Sequence, residues 1–273
     1  MKLLIDQNSL RKEPLRDFLS TSTDNYAVLT DMAMFEMLKG VDPDLTSRNS
    51  LSILSQFPNQ VICTQGTGVL MDRELREKKR IDSPEDAELT ERMRRFLISI
   101  REYNADLSKG HPIDLAAKQS IIDDAKLQRL DHQDNIQSLK KGVAEIRINT
   151  TAELQKKFRK ELLDQEVYDF IVKTWLLNFV GVTRERSLLD SEAIQLYSTI
   201  CLTARYTICH ILSSIQWFAD GGSDSILPEE ATNDVNDVDY VVLSSYFDGI
   251  LSKEKRVNRL HSKFIKILKK EMA

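Results

Sequence analysis

The sequence predicts an α/β fold: a parallel sheet flanked by helices, with a large all-helical insertion. Three observations predict it. The chain begins with a short apolar run, KLLI, that stops at Asp6, and QVICTQG has the β-branched, uncharged character of a strand buried on both faces of a parallel sheet. A third short run, GIL, follows Asp248 near the other end. From Gly68 to Ala219 the pattern changes to long runs with apolar residues every three or four positions, and no alternating strand lies among them. The expected division is therefore a discontinuous α/β domain, residues 1–67 and 220–273, around a helical insertion, residues 68–219.

In chain order, Ser9 is a candidate cap for a helix through Leu19, with Pro14 disfavouring a regular first half. Tyr26 to Leu29 is a short apolar run. Thr30 or Asp31 then caps a helix carrying Met32, Phe35, Glu36 and Leu38, which Gly40 ends. Leu45 to Phe57 has helical spacing, closed by Pro58. RELREKKR reads as a basic, solvated helical run, and Ser83 with Pro84 as the start of the helix holding Leu89, Met93, Phe96, Leu97 and Ile100. Ile113 to Leu139, Thr151 to Val180 and Asp190 to Ala219 read as three further helices. The loop GGSDSILPEEATND leads to an acidic helix whose front carries Asp234, Asp237 and Asp239, and KEKRVNRLHSKFIKILKKEM is a basic amphipathic terminal helix.

Composition removes several classes. With 41% hydrophobic and 29% charged residues the chain is an ordinary globular one, neither fibrous nor disordered. A formal charge of −4 gives no global attraction to nucleic acid, so such contacts must come from local basic patches. Cys63, Cys201 and Cys209 lie in apolar runs without CxxC spacing and read as reduced core residues of a cytoplasmic protein. No membrane span is expected, because the longest weakly charged segment, Ala193 to Ala219, contains Arg205 and His210. The four histidines lack zinc spacing, and GxxxxGK[ST], GxGxxG and GxSxG are all missing.

What remains is acidic. Asp6 follows the first strand, Glu36 lies mid-helix, Asp234 and Asp237 lie on the NDxxDxxY stretch, and Glu254 closes S-x-E after the last strand. Carboxylates gathered around one pocket repel each other without a cation, a cost that a purely structural arrangement avoids. In this chain order the four pieces resemble the PIN-domain nucleases, over Met1 to about Thr67 and about Asn233 to Met272. The resemblance implies a ribonuclease that hydrolyses phosphodiesters with Mg²⁺ or Mn²⁺, as in ribonuclease toxins and defence nucleases. It makes Asp6 the central metal ligand, Glu36 a direct or water-mediated one and Asp237 or its neighbour Asp234 the third acid. It puts Glu254 where the family usually has Asp, with Asn8, Asp248 and Ser252 in support. Single-stranded or structured RNA is the implied partner, with a protein regulator or a second copy compatible with the insertion. The other reading is a catalytically weak PIN-like scaffold that binds RNA or protein through its helical part. Arg205 and His210 have the R-x4-H spacing of the metal-independent HEPN ribonucleases, but positions i and i+5 do not share a helix face, so a core histidine is expected.

Overall fold

Four short strands, β1 (Lys2–Ile5), β2 (Tyr26–Leu29), β3 (Val61–Cys63) and β4 (Gly249–Leu251), form one sheet in the order β3-β2-β1-β4. Every neighbouring pair is parallel. The structure is a computed structural model that describes residues 1–38, 42–106, 108, 132–185, 201–221 and 228–271. The expected helix stop at Gly40, most of the Ile113 to Leu139 run, the front of the Asp190 to Ala219 run and residues 222–227 of the GGSDSILPEEATND stretch lie outside the described residues, while Pro228 to Asp234 of that stretch, expected as loop, are helical.

The described chain clusters into two compact units. The first, Met1–Thr67 with Ser83–Leu130 and Leu243–Lys255, holds the sheet. Parallel strands need crossovers, and here they carry α1 (Glu13–Thr21), then α2 (Asp31–Leu38) and α3 (Pro43–Leu51). Helix α5 (Ala87–Ala105) packs against β3, and its Met93, Leu97 and Ile100, at i, i+4 and i+7, enter one core with Ile5, Leu29, Cys63, Leu15 and Leu19. That stripe is why Ser83–Leu130, placed by the sequence pattern in the helical insertion, clusters with the sheet. β4 is only half-buried, in keeping with its place at the edge of the sheet.

Several helix starts differ from the expected ones, each for a local reason. Ser9 ends a 3-10 turn, Gln7–Ser9, and α1 begins at Glu13, which puts Pro14 in the first turn, where a missing N–H costs nothing. Helix α5 begins after Asp86, whose carboxylate accepts from the Leu89 N–H at 2.8 Å. Ser83 and Pro84 precede it in a stretch tied to the end of β3, with Gln65 N–H on the Pro84 carbonyl and Asp86 N–H on that of Cys63. The helical run Leu45 to Phe57 breaks at Leu51 into 3-10 turns. In the last of these, Gln60 donates its amide to the carbonyls of Leu19, Ser22 and Asn25 at 3.0, 2.9 and 2.8 Å, pinning the loop between α1 and β2. Gln60→Ala should cost about 1–2 kcal/mol in urea unfolding, since it strands carbonyls that are partly out of water. An unchanged midpoint would show that the loop holds itself.

The second unit, Gly68–Asp82 with Asp131–Val242 and Arg256–Ala273, is helical in every described element. It contains α4 (Thr67–Glu77, from Gly68), α6 (His132–Asn149), α7 (Ala152–Arg159), α8 (Gln165–Glu185), α9 (Leu202–Ala219), most of α10 (Pro228–Ser244) and all but the first residue of α11 (Lys255–Glu271). Helix α9 is buried over most of its positions and packs against α6, α7 and α8, with Trp175 of α8 buried. The expected single helix from Thr151 to Val180 is two, because Lys160 to Asp164 turn the chain and Glu161 takes a positive φ of 56°. Among the described residues no helix is long and apolar enough to cross a membrane.

Inside this unit Glu74 of α4 is completely buried. One carboxylate oxygen accepts from the N–H groups of Ile81 and Leu202 at 3.2 and 2.9 Å, the other from the N–H and hydroxyl of Thr203 at 2.9 and 3.0 Å. Glu74 thus caps α9 from another helix, placing negative charge on the positive end of its dipole. Burial, with Glu74 beside it, pushes the Cys201 thiol up to about 12. All three cysteines are free and buried, as expected of core residues.

Candidate active site at the carboxyl end of the sheet

From β1 the chain steps outward to β2 and β3, then returns to place β4 on the opposite side of β1. In open parallel sheets this reversal leaves a crevice beyond the strand carboxyl ends, the usual place for a ligand. Asp6 follows β1 and Ser252 follows β4, so both stand at that crevice, and the Asp6 N–H continues the ladder to the Leu251 carbonyl at 3.2 Å.

Asp6, Asn8, Ser252 and Glu254 close a ring of hydrogen bonds. The Asn8 N–H donates to Asp6 Oδ1 at 3.3 Å while its side-chain amide donates to Glu254 Oε1 at 2.5 Å. The Ser252 hydroxyl donates to Asp6 Oδ2 at 2.6 Å and accepts from the Glu254 N–H at 3.1 Å. Asp6 is only 3% exposed, yet among the described residues its carboxylate meets no cation, only neutral donors. Buried carboxylates are ordinarily paired with a cation or a metal. Beside the ring an open depression is lined by Asn8, Glu254 and three exposed cations, Arg11, Lys12 and Lys253, none of them in an ion pair among the described residues.

The other expected site residues stand as follows. Glu36 is half-buried on α2, which packs against the 3-10 turn that begins after Asp6. Asp234 and Asp237 belong to the helical unit and lie inside α10, which starts at Pro228, so the acids do not front a helix and Asp234 is not its cap. Asp234 pairs with Arg256 at 3.1 Å, and Arg256 lies over the Trp217 ring at 3.8 Å. Asp248 precedes β4 and so stands at the opposite end of the strand from Ser252, about 13 Å away at strand rise. There its carboxylate accepts from the Lys2 N–H at 2.6 Å and its own N–H donates to the Lys2 carbonyl, so it clips β4 to β1 rather than supporting Asp6.

Among the described residues no three His, Cys, Asp or Glu side chains form a group that could hold a metal ion by themselves. A hard divalent cation asks less of the protein, since Mg²⁺ commonly takes one or two carboxylates and fills its remaining positions with water and substrate phosphate. Asp6 and Glu254, oriented through Asn8 and Ser252, offer such a pair and fit the cation by donor chemistry.

Of the second ionisable pair singled out by spacing, Arg205 is buried and His210 is half-buried. Arg205 is 3% exposed, and His210 meets Tyr206 edge-on with ring centroids 4.5 Å apart. Burial pushes the His210 imidazole down to about 4. An unfolded chain takes up that proton below about 6.5, so stability should fall as pH drops from about 6.5 to about 4, by up to about 3 kcal/mol, and lose nothing further from this group below that. His210→Gln should flatten that limb in unfolding measured across pH. The same profile in both proteins would remove His210 from the account.

Comparison of the chain with protein-family models, curated proteins and solved structures found no match in any of the three.

Proposed function

We propose that this chain is a PIN-like nuclease that hydrolyses RNA phosphodiesters with Mg²⁺ or Mn²⁺ at the ring of Asp6, Asn8, Ser252 and Glu254. The observation that carries the reading is Asp6, a buried carboxylate at the reversal of a parallel sheet, oriented by neutral donors and meeting no cation among the described residues. A cation held there supplies an activated water and neutralises charge on the phosphate. Asp6 and Glu254 hold it. Asn8 and Ser252 fix the two carboxylates, and outer partners of this kind are commonly worth 10- to 100-fold in metal affinity. Arg11, Lys12 and Lys253 draw the phosphate backbone to the depression. Glu36, on α2 of the same unit, is proposed to reach the cation through water. A cytoplasmic location follows from the same reading.

The test is an assay of labelled single-stranded RNA and DNA with the full chain and Mn²⁺, with and without chelator. Cleavage of RNA that stops on chelation and is lost in Glu254→Gln is expected. Cleavage that survives chelation, or none with either substrate, would contradict the proposal.

A further inference from the structure

The helical unit carries a second charged surface, on the terminal helix that follows Glu254 in the chain. Arg259, Lys263, Lys266 and Lys270 of α11 recur at i, i+4, i+7 and i+11, one stripe spanning about 16 Å of helix. The apolar stripe of the same helix, Val257, Leu260, Phe264, Ile267 and Leu268, is buried. The cations flank it and line a groove whose other wall is the turn after α7 and the start of α8, with Glu161 and Tyr168.

The groove is short of anions. Arg259 reaches Glu161 and Asp220, each at 2.6 Å, and Lys263 shares that same Glu161 at 3.6 Å. Lys266 meets no carboxylate among the described residues, and Lys270 lies over the Tyr168 ring at 3.6 Å while donating to the Gln165 side chain at 2.6 Å. Among the described residues four cations thus face two carboxylates. Burial holds the Lys263 ammonium below its usual range, so Glu161 compensates it only in part.

We infer that this groove binds the phosphate backbone of a single-stranded nucleic acid. The cations are evenly spaced along a line, as a backbone with one charge per nucleotide requires, and Tyr168 places an aromatic ring among them, the combination that sequence-tolerant strand binders use. An anionic membrane is the poorer match because the cations line a concave surface, and an acidic peptide makes no use of the ring. The inference does not depend on cleavage at the acid ring, because binding is read with no metal present.

The experiment measures fluorescence anisotropy of labelled oligouridylate with the full chain in EDTA between about 50 and 200 mM salt. Lys266→Gln with Lys270→Gln, both exposed, should leave the circular-dichroism melt in place. Losing two phosphate contacts should lower the slope of log K against log salt by about 1.4 and weaken binding at least tenfold at low salt. An unchanged slope would overturn the inference. So would an equal loss in Arg92→Gln on α5, competition by oligoglutamate as strong as by unlabelled oligouridylate, or binding to phosphatidylserine vesicles without binding to RNA.

Discussion

Glu74→Ala is expected to unfold the helical unit more readily than any other single change in it, with a loss of about 3–5 kcal/mol. The side chain is fully buried and its two oxygens take four hydrogen bonds, three from backbone N–H groups and one from the Thr203 hydroxyl. Alanine strands all of these donors in a space too enclosed for ready access of water, and the N-terminus of α9 loses its compensating charge. Since α9 packs against α6, α7 and α8, the fault lies at the centre of the unit. Glu74→Gln should recover part of the loss, because one amide oxygen can still accept while the amide NH₂ faces donors. Urea unfolding followed by circular dichroism checks this. A loss below about 1 kcal/mol for alanine would mean that water or a neighbouring carbonyl takes over the cap.

Asp6→Asn should lower Mn²⁺-dependent cleavage by orders of magnitude while the protein still folds. Asparagine keeps the volume, its oxygen can accept from the Asn8 N–H, and its NH₂ can donate to a rotated Ser252 hydroxyl. One negative charge leaves a ring that contains Glu254, so the metal-free variant should be as stable as the parent or slightly more so. The stabilisation that Mn²⁺ confers should shrink, because a ligand stabilises only as far as it binds the folded state. If Asp6 were merely a cap of the Gln7–Ser9 turn, asparagine would cap it about as well, and both stability and metal response would stay intact.

The strands β1, β3 and β4 were legible because a short apolar run between polar stops has few other uses in an α/β chain. The order β3-β2-β1-β4 was not, since it depends on pairing between segments up to 246 residues apart, as in the Asp6 and Ser252 contact. Asp6, Asn8, Ser252 and Glu254 could be named from the sequence, but that they share hydrogen bonds is a consequence of β1 lying beside β4. Asp248 was misread although it precedes GIL, which in a parallel sheet already puts it at the opposite strand end from an acid that follows KLLI. Helix starts failed where tertiary contacts hold the backbone, as β3 holds Pro84 and Asp86. Glu74 was hidden within RELREKKR, a run whose charge suggests a solvated face, although Leu70 and Leu75, which are buried on the same helix, were the available signal.

The central claim is that the Asp6 ring holds a divalent cation, and Mn²⁺ titration followed by electron paramagnetic resonance tests it most directly. The full chain should remove free Mn²⁺ from the spectrum at one site, and that site should be lost in Asp6→Asn and weakened 10- to 100-fold in Ser252→Ala. Equal Mn²⁺ binding by the parent and Asp6→Asn, or no binding by the parent, would contradict the account.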